Sequence, residues 1–244
     1  MASRSETGHI KNAANFREII SFCKGYGAIY NPAKGNLKIV ELQLLHQNSI
    51  DKLNELTIAK TAFDYATNER RNLFENLKPL FTKIINAFAV SGADPLAISD
   101  AKAINKKLQG IRAKAPQTSD PQSATGTTVT QISTSQLSYD RQIDHLENLI
   151  QVLVQNKMYN PNENELKVTS LQAKLAELKA KNNQLINSYT KYSNAMLRRD
   201  QTMYDPQNGI KQMAKEVKLY VKSLFGATSP QFKQISSLGF TSPR

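Results

Sequence analysis

A chain of 244 residues with 32 Lys and Arg against 20 Asp and Glu carries a net charge of +12 and is long enough to bury a sizeable core. Apolar residues at 40%, aromatics at 7%, no Trp, ten Gly and nine Pro favour helices over a β-sandwich. The single cysteine, Cys23, excludes an internal disulfide and a cysteine-built zinc site.

The positive excess is shared evenly by residues 1–112 and 138–244, which suits solubility or diffuse polyanion attraction better than one dedicated nucleic-acid patch. The opening residues contain no apolar run of the secretory type. The most apolar window, Pro79–Ala93, is interrupted by Lys83 and Asn86 and is shorter than the ~20 residues a membrane span needs. A soluble, cytoplasmic protein is the expectation.

In chain order, residues 1–12 are polar and read as a flexible N-terminus. Phe16, Ile19, Ile20 and Cys23 then recur at helical spacing, and Gly25, Gly27 and Asn31-Pro32 end that helix. From Leu37 to Lys78 there is neither Gly nor Pro. An apolar stripe through Leu42, Leu45, Leu53, Leu56, Phe63, Ala66 and Leu73 predicts a helix of ~35 residues, or ~52 Å, paired in a bundle. Pro79 either follows a turn or kinks a continuing helix. Leu80, Phe81, Ile84, Ile85 and Phe88 predict the next helix, and Asp94-Pro95 reads as an N-cap with first-turn proline for another ending at Gly110.

Residues 113–137 are rich in Ser, Thr, Gln and Pro and read as a linker; Thr127-Thr128-Val129-Thr130 there is the only β-branched run. Beyond it the pattern returns. Tyr30-Asn31-Pro32 recurs as Tyr159-Asn160-Pro161, 129 residues later, and Leu37-Lys38 and Leu42-Gln43 recur at the same offset. A second long helix follows, with Leu171, Leu175, Leu178, Asn182, Leu185, Tyr189, Tyr192 and Met196 in its stripe. Asn182 is the one polar residue there, with a tilt toward solvent as the simple expectation and a register-setting role as the sharper one. Asp205-Pro206 through Gly209 breaks this helix, and Ile210, Met213, Val217, Tyr220, Val221 and Leu224 match Phe74, Leu77, Phe81, Ile84, Ile85 and Phe88 at an offset of 136. Ser229-Pro230 repeats the Asp94-Pro95 punctuation.

The expected fold is all-α: two tandem duplicated helical units, 13–112 and 138–244, each with one long helix and shorter packed helices, side by side in an elongated bundle.

Signs of catalysis are missing. His9, His46 and His145 have no metal-ligand spacing, Cys23 lies on an apolar helix face, and the Gly25-Tyr26-Gly27 pattern ends a helix instead of opening one. No catalytic, cofactor or metal residue, no cofactor and no small-molecule substrate are expected. The tyrosines of the repeated turn are expected to pack across it while Asn31 and Asn160 bond their own backbone, with a recognition surface as the alternative.

Lys211, Lys215, Lys218 and Lys222 share one helix face, a possible anion-binding surface or a solvated one. Arg70 and Arg199 occupy the same repeat position within the apolar stripe, as packed stems with acid-paired heads or as an anion clamp. The functional expectation is a non-enzymatic helical scaffold or protein–protein interaction module, self-associating or binding other proteins. The alternative is a polyanion-binding protein that engages nucleic acid or an anionic membrane surface through the basic amphipathic helix.

Overall fold

In the computed structural model, which describes residues 7–110 and 137–241, every regular element among the described residues is helical. The helices are α1 (Thr7–Gly25), α2 (Ile39–Glu75), α3 (Leu77–Ala89), α4 (Pro95–Gln109), α5 (Tyr139–Gln155), α6 (Val168–Tyr204), α7 (Ile210–Phe225) and α8 (Pro230–Ser236). Short 3₁₀ turns at Gly27–Ile29, Gly35–Leu37 and Asn164–Leu166 lead toward the two long helices. The expected linker, apart from Leu137, lies outside the described residues, as does the Thr127–Thr130 run. Helix α1 starts at Thr7, so residues 7–12 are not a frayed end. His9 and Asn12 are buried there, and Asn12 bonds the backbone of Thr241 in both directions.

The helix ends follow local chemistry. Asp94 accepts from the backbone N–H groups of Leu96 and Ala97, with Pro95 in the first turn, and Ser229 accepts from that of Phe232, with Pro230 in the equivalent place. Pro79 neither kinks nor ends α2. That helix stops at Glu75, Asn76 makes a one-residue turn, and Pro79 falls in the first turn of α3, where a missing N–H leaves no bond unmade. At the end of α6, Asp205 Oδ1 accepts from the backbones of Gln207 and Asn208 at 3.0 and 2.7 Å. A Cβ on Gly209 would lie 2.5 Å from Asp205 N, so only glycine fits that loop.

Contacts divide the described chain into two compact units. Unit 1 comprises Met1–Asp64 and Ser188–Arg244, and unit 2 comprises Tyr65–Asn187. These are not the sequence halves 13–112 and 138–244. Each unit combines the first part of one half with the last part of the other. Unit 1 has its own core, in which Phe16, Ile19 and Leu42 meet Ile210, Met213 and Val217. The core of unit 2 joins Phe81, Ile84 and Phe88 to Leu146, Leu149 and Leu171.

The interior positions recur with a definite register. The buried residues of α2, Leu42, Ser49, Leu56, Ala66 and Phe74, correspond at 129 residues to Leu171, Leu178, Leu185, Ala195 and Met203, which are buried in α6. Both helices have 37 residues, ~55 Å of helix each. Burial also changes one part of the sequence register. Leu77, Phe81, Ile84 and Phe88 match Ile210, Ala214, Val217 and Val221, an offset of 133 and not 136. The added length is one helical turn, and it lies in the 205–209 loop that replaces Asn76.

With that register, Lys83 of α3 and Glu216 of α7 occupy equivalent places. Lys83 pairs with Glu165 at 2.8 Å in unit 2, and Glu216 pairs with Lys34 at 2.6 Å in unit 1. The signs are reversed. Packing each turn on the α3 or α7 of its own sequence half would set Lys34 against Lys83 and Glu165 against Glu216. These pairs are largely exposed and each contributes well under ~1 kcal/mol, but both favour the crossed assembly.

Each turn is closed by the same bond. Tyr30 Oη donates to Leu37 O and Tyr159 Oη donates to Leu166 O, both at 2.8 Å and both buried. Replacing either tyrosine with Phe leaves a buried carbonyl without a partner and is expected to cost about 1–3 kcal/mol. Urea unfolding of Tyr30→Phe and Tyr159→Phe measures this, and midpoints equal to that of the parent chain would show that the hydroxyls do not hold the turns.

Candidate interaction groove

The repeated turn is interior structure. Tyr30 is 6% exposed and meets Tyr220 edge-on at 5.3 Å, while Tyr159 is 7% exposed and meets Phe88 at 5.8 Å. Their rings are therefore not available as a recognition surface. Pro32 is buried, Pro161 is half-buried, and Asn31 and Asn160 are exposed without the expected bonds to their own backbone. Burial pushes the Tyr159 phenol up to about 12 and raises Tyr30 further, so both hydroxyls stay protonated donors.

The lysine face of α7 is partly consumed within the fold. Lys218 Nζ donates to Ser236 O at 3.3 Å and to Leu238 O at 2.5 Å, and it lies 5.5 Å from the Phe240 ring. Its burial lowers its pKa. Lys222 sits 5.8 Å over Phe232 of α8. Lys215 is exposed and Lys211 is half-buried. The four residues share a helix, but two of them hold α8 and the segment after it.

The in-stripe arginines have different partners. Arg199 is 1% exposed, and its Nε and Nη2 donate to Asp200 Oδ1 at 3.0 and 2.7 Å, an acid-paired head on a packed stem. Arg70 instead donates from Nη1 to Asn182 Oδ1 at 2.9 Å and stacks 3.9 Å over the Tyr139 ring. Asn182 does not tilt to solvent. It is 5% exposed and passes the connection on, its Nδ2 donating to Asp140 Oδ1 at 2.7 Å. One amide thus ties the end of α2 to the start of α5 through α6, while Arg70 Nε is buried with no partner. Neither arginine pairs with the other, since they belong to different units.

The surface with recognition geometry lies elsewhere in unit 1. Helix α1 presents Arg17, Ile20, Ser21 and Lys24, and α2 presents Val40, Gln43, Leu44 and Gln47. Both sets follow i, i+3, i+4, i+7, so each is one helix face, and together they wall a groove of about 680 Å³. Val40 is 71% exposed and Leu44 is 65% exposed, while Ile20 forms part of the floor at 5%. His46 also lines the groove, and burial, then the Arg17 charge, hold its pKa below the ordinary histidine range. The lining contains two cations and no carboxylate.

The corresponding face of unit 2 is closed. Core positions of α1 match those of α5 at 130 residues, as in Phe16 with Leu146 and Ile20 with Ile150, so Glu147 stands where Arg17 does. Glu147 pairs with Lys179 of α6 at 2.8 Å across that face. Sequence periodicity missed the groove because Val40 and Leu44 had been expected only as members of a buried stripe. The usable signal is that they precede the stripe on a different side of the helix.

Cys23 is buried, and desolvation pushes its thiol up to about 12, which makes it an inert packing group. Among the described residues no cluster of three or more His, Cys, Asp or Glu is placed to hold a metal ion, and no helix is long and apolar enough to cross a membrane.

The Arg70–Asn182 bond is open to a double-mutant cycle. Arg70→Met and Asn182→Leu should each destabilise by about 1–3 kcal/mol, because each strands a polar group of the other. The double variant should be less destabilised than the sum, with a coupling of about 0.5–3 kcal/mol. Strict additivity would mean that the two side chains do not support one another. Comparison with models of known protein families, with curated proteins and with solved structures finds no match to this chain.

Proposed function

We propose that this protein is a non-enzymatic helical interaction module whose α1–α2 groove receives one amphipathic helix of a partner protein, an apolar stripe flanked by acidic side chains. The single observation that carries this reading is the groove itself: two helix faces with i, i+3, i+4, i+7 spacing, exposed Val40 and Leu44 between them, and Arg17 and Lys24 as the only charged lining residues. A third helix is the element whose own i, i+3, i+4, i+7 ridge fits such a trough. Acidic flanks complement the two cations and speed encounter.

The internal duplication is part of the proposal. Recurrence of five buried positions between α2 and α6 and of the Tyr turn supports it. So is a cytoplasmic setting, for which a free, buried thiol suits a reducing compartment. No cofactor and no small-molecule substrate enter this reading. Polyanion binding through Lys211, Lys215, Lys218 and Lys222 is the less supported alternative, because Lys218 is occupied by backbone carbonyls.

The test is fluorescence anisotropy with a labelled helical peptide carrying Leu at i, i+3, i+4 and i+7 and Glu on both flanks. Saturable micromolar binding that weakens with salt, and by about tenfold or more in Leu44→Glu, is expected. The same peptide with Lys flanks should bind less. Binding that ignores Leu44→Glu, or none at all, sinks the groove reading. Light scattering on the chain alone separates self-association: if two copies occupy each other's grooves, Leu44→Glu converts dimer to monomer.

A further inference from the structure

Unit 2 has a second opening, unrelated to the α1–α2 groove. Between α4 and α5 lies a cleft of about 440 Å³ lined by Ile104 and Lys107 on one side and Arg141, Asp144, His145 and Asn148 on the other. His145 is 6% exposed, and its Nε2 is buried without a hydrogen-bond partner. An unpaired imidazole nitrogen inside a fold is costly, and leucine would fill the same site without that cost.

The charges around it are unevenly matched. Lys107 has no ion pair among the described residues, and Arg141 reaches Asp144 only at 3.6 Å with both side chains mostly exposed. Glu147, the remaining acid of the lining, is held by Lys179. Burial first and the Lys107 charge second keep the His145 pKa below its ordinary value, so the ring is neutral and carries one N–H.

Unit 1 shows what the equivalent place does when it is filled. The residue of α1 matching His145 is Asn15, whose Nδ2 donates to Gly239 O at 2.7 Å. One turn earlier Asn12 accepts from Thr241 N at 2.9 Å and donates to Thr241 O at 3.0 Å. The polar group at this position of α1 therefore binds a carbonyl oxygen from a segment laid along the helix. In unit 2 the matching donor has no acceptor, and two cations stand beside it.

We propose that the α4–α5 cleft of unit 2 is an oxyanion site, in which His145 Nε2–H donates to one oxygen of a carboxylate or phosphate group and Lys107 and Arg141 neutralise its charge. Arg141 turns from its long, exposed pair with Asp144 to do so, and such a pair gives up little on breaking. Asp144 at the rim keeps the site selective for a compact anion, since an extended polyanion would meet its charge.

The experiment is a titration of the full chain followed by NMR of the histidine ring and the backbone amides. The probes are sodium phosphate, sodium acetate and sodium chloride at matched ionic strength. Saturable shifts of His145 and its α4 and α5 neighbours with phosphate or acetate, and none with chloride, are expected. Saturation by acetate alone assigns a carboxylate ligand, and by phosphate alone a phosphate.

Lys107→Gln should weaken binding about fivefold or more through loss of one charge–charge contact. His145→Leu should abolish binding while raising the urea midpoint, a combination that a merely structural histidine would not produce. His145→Asn, the residue type of unit 1, should fold and keep part of the affinity. Equal shifts in all three salts, or undiminished binding in both Lys107→Gln and His145→Leu, would overturn the proposal.

Discussion

The fold turns on a buried phenol. At each entry to a long helix the chain reverses within a few residues, and the reversal is closed by a tyrosine hydroxyl bonding the carbonyl seven residues ahead. That carbonyl belongs to the 3₁₀ turn that precedes helix formation, where no backbone donor is in place for it. Satisfying it lets Leu37 and Leu166 enter the core together with the rings. The rings in turn lie edge-on to aromatics of α7 and α3, so the turn is joined to its helix neighbour by the same residue that closes it. Without these bonds the first turns of α2 and α6 would have no fixed entry.

The second constraint is that neither compact unit is a contiguous segment apart from the chain's middle. Unit 1 needs α1 and the start of α2, but also the end of α6, α7 and α8. Its core cannot close until both ends of the sequence are present, as the bonds between Asn12 and Thr241 show. Such long-range closure slows folding and makes premature pairing within one sequence half the competing outcome. The reversed signs at Lys83 and Glu216 act against that competitor at the points where the apolar faces alone would not discriminate.

Much of the architecture was legible because its signals are local. Asp94-Pro95, Ser229-Pro230 and the Tyr-Asn-Pro turns each act through the nearest backbone groups, so the residues carry the answer with them. The register between α3 and α7 was not legible. Added lengths of four and seven residues are one and two helical turns, and both leave an apolar face in phase, so periodicity cannot separate 133 from 136. Burial separates them, because Phe81 and Val217 sit at different depths of one pattern when aligned at 136 and Ala214 replaces Phe81 at 133. The role of Asn182 was hidden for a similar reason. Its partners, Arg70 and Asp140, are brought by two other helices, and nothing adjacent in sequence announces them.

The two units keep matching interiors and divide their surfaces. In unit 1 the position matching His145 is covered by the segment through Gly239 and Thr241, and the α1–α2 groove is open. In unit 2 the matching groove is shut by Glu147 and Lys179, and the cleft at His145 is open. The switch at the first place is Arg17 against Glu147, and at the second it is Asn15 against His145. Both are changes on the outer side of a helix whose inner side carries Phe16 or Leu146 and is held by packing. An interior residue must satisfy its neighbours in a close-packed core, whereas an outer residue is free to change once the helix is anchored. A fold built twice in one chain can therefore open a different face in each copy, with recognition of an acidic helix assigned to one and of a compact oxyanion to the other.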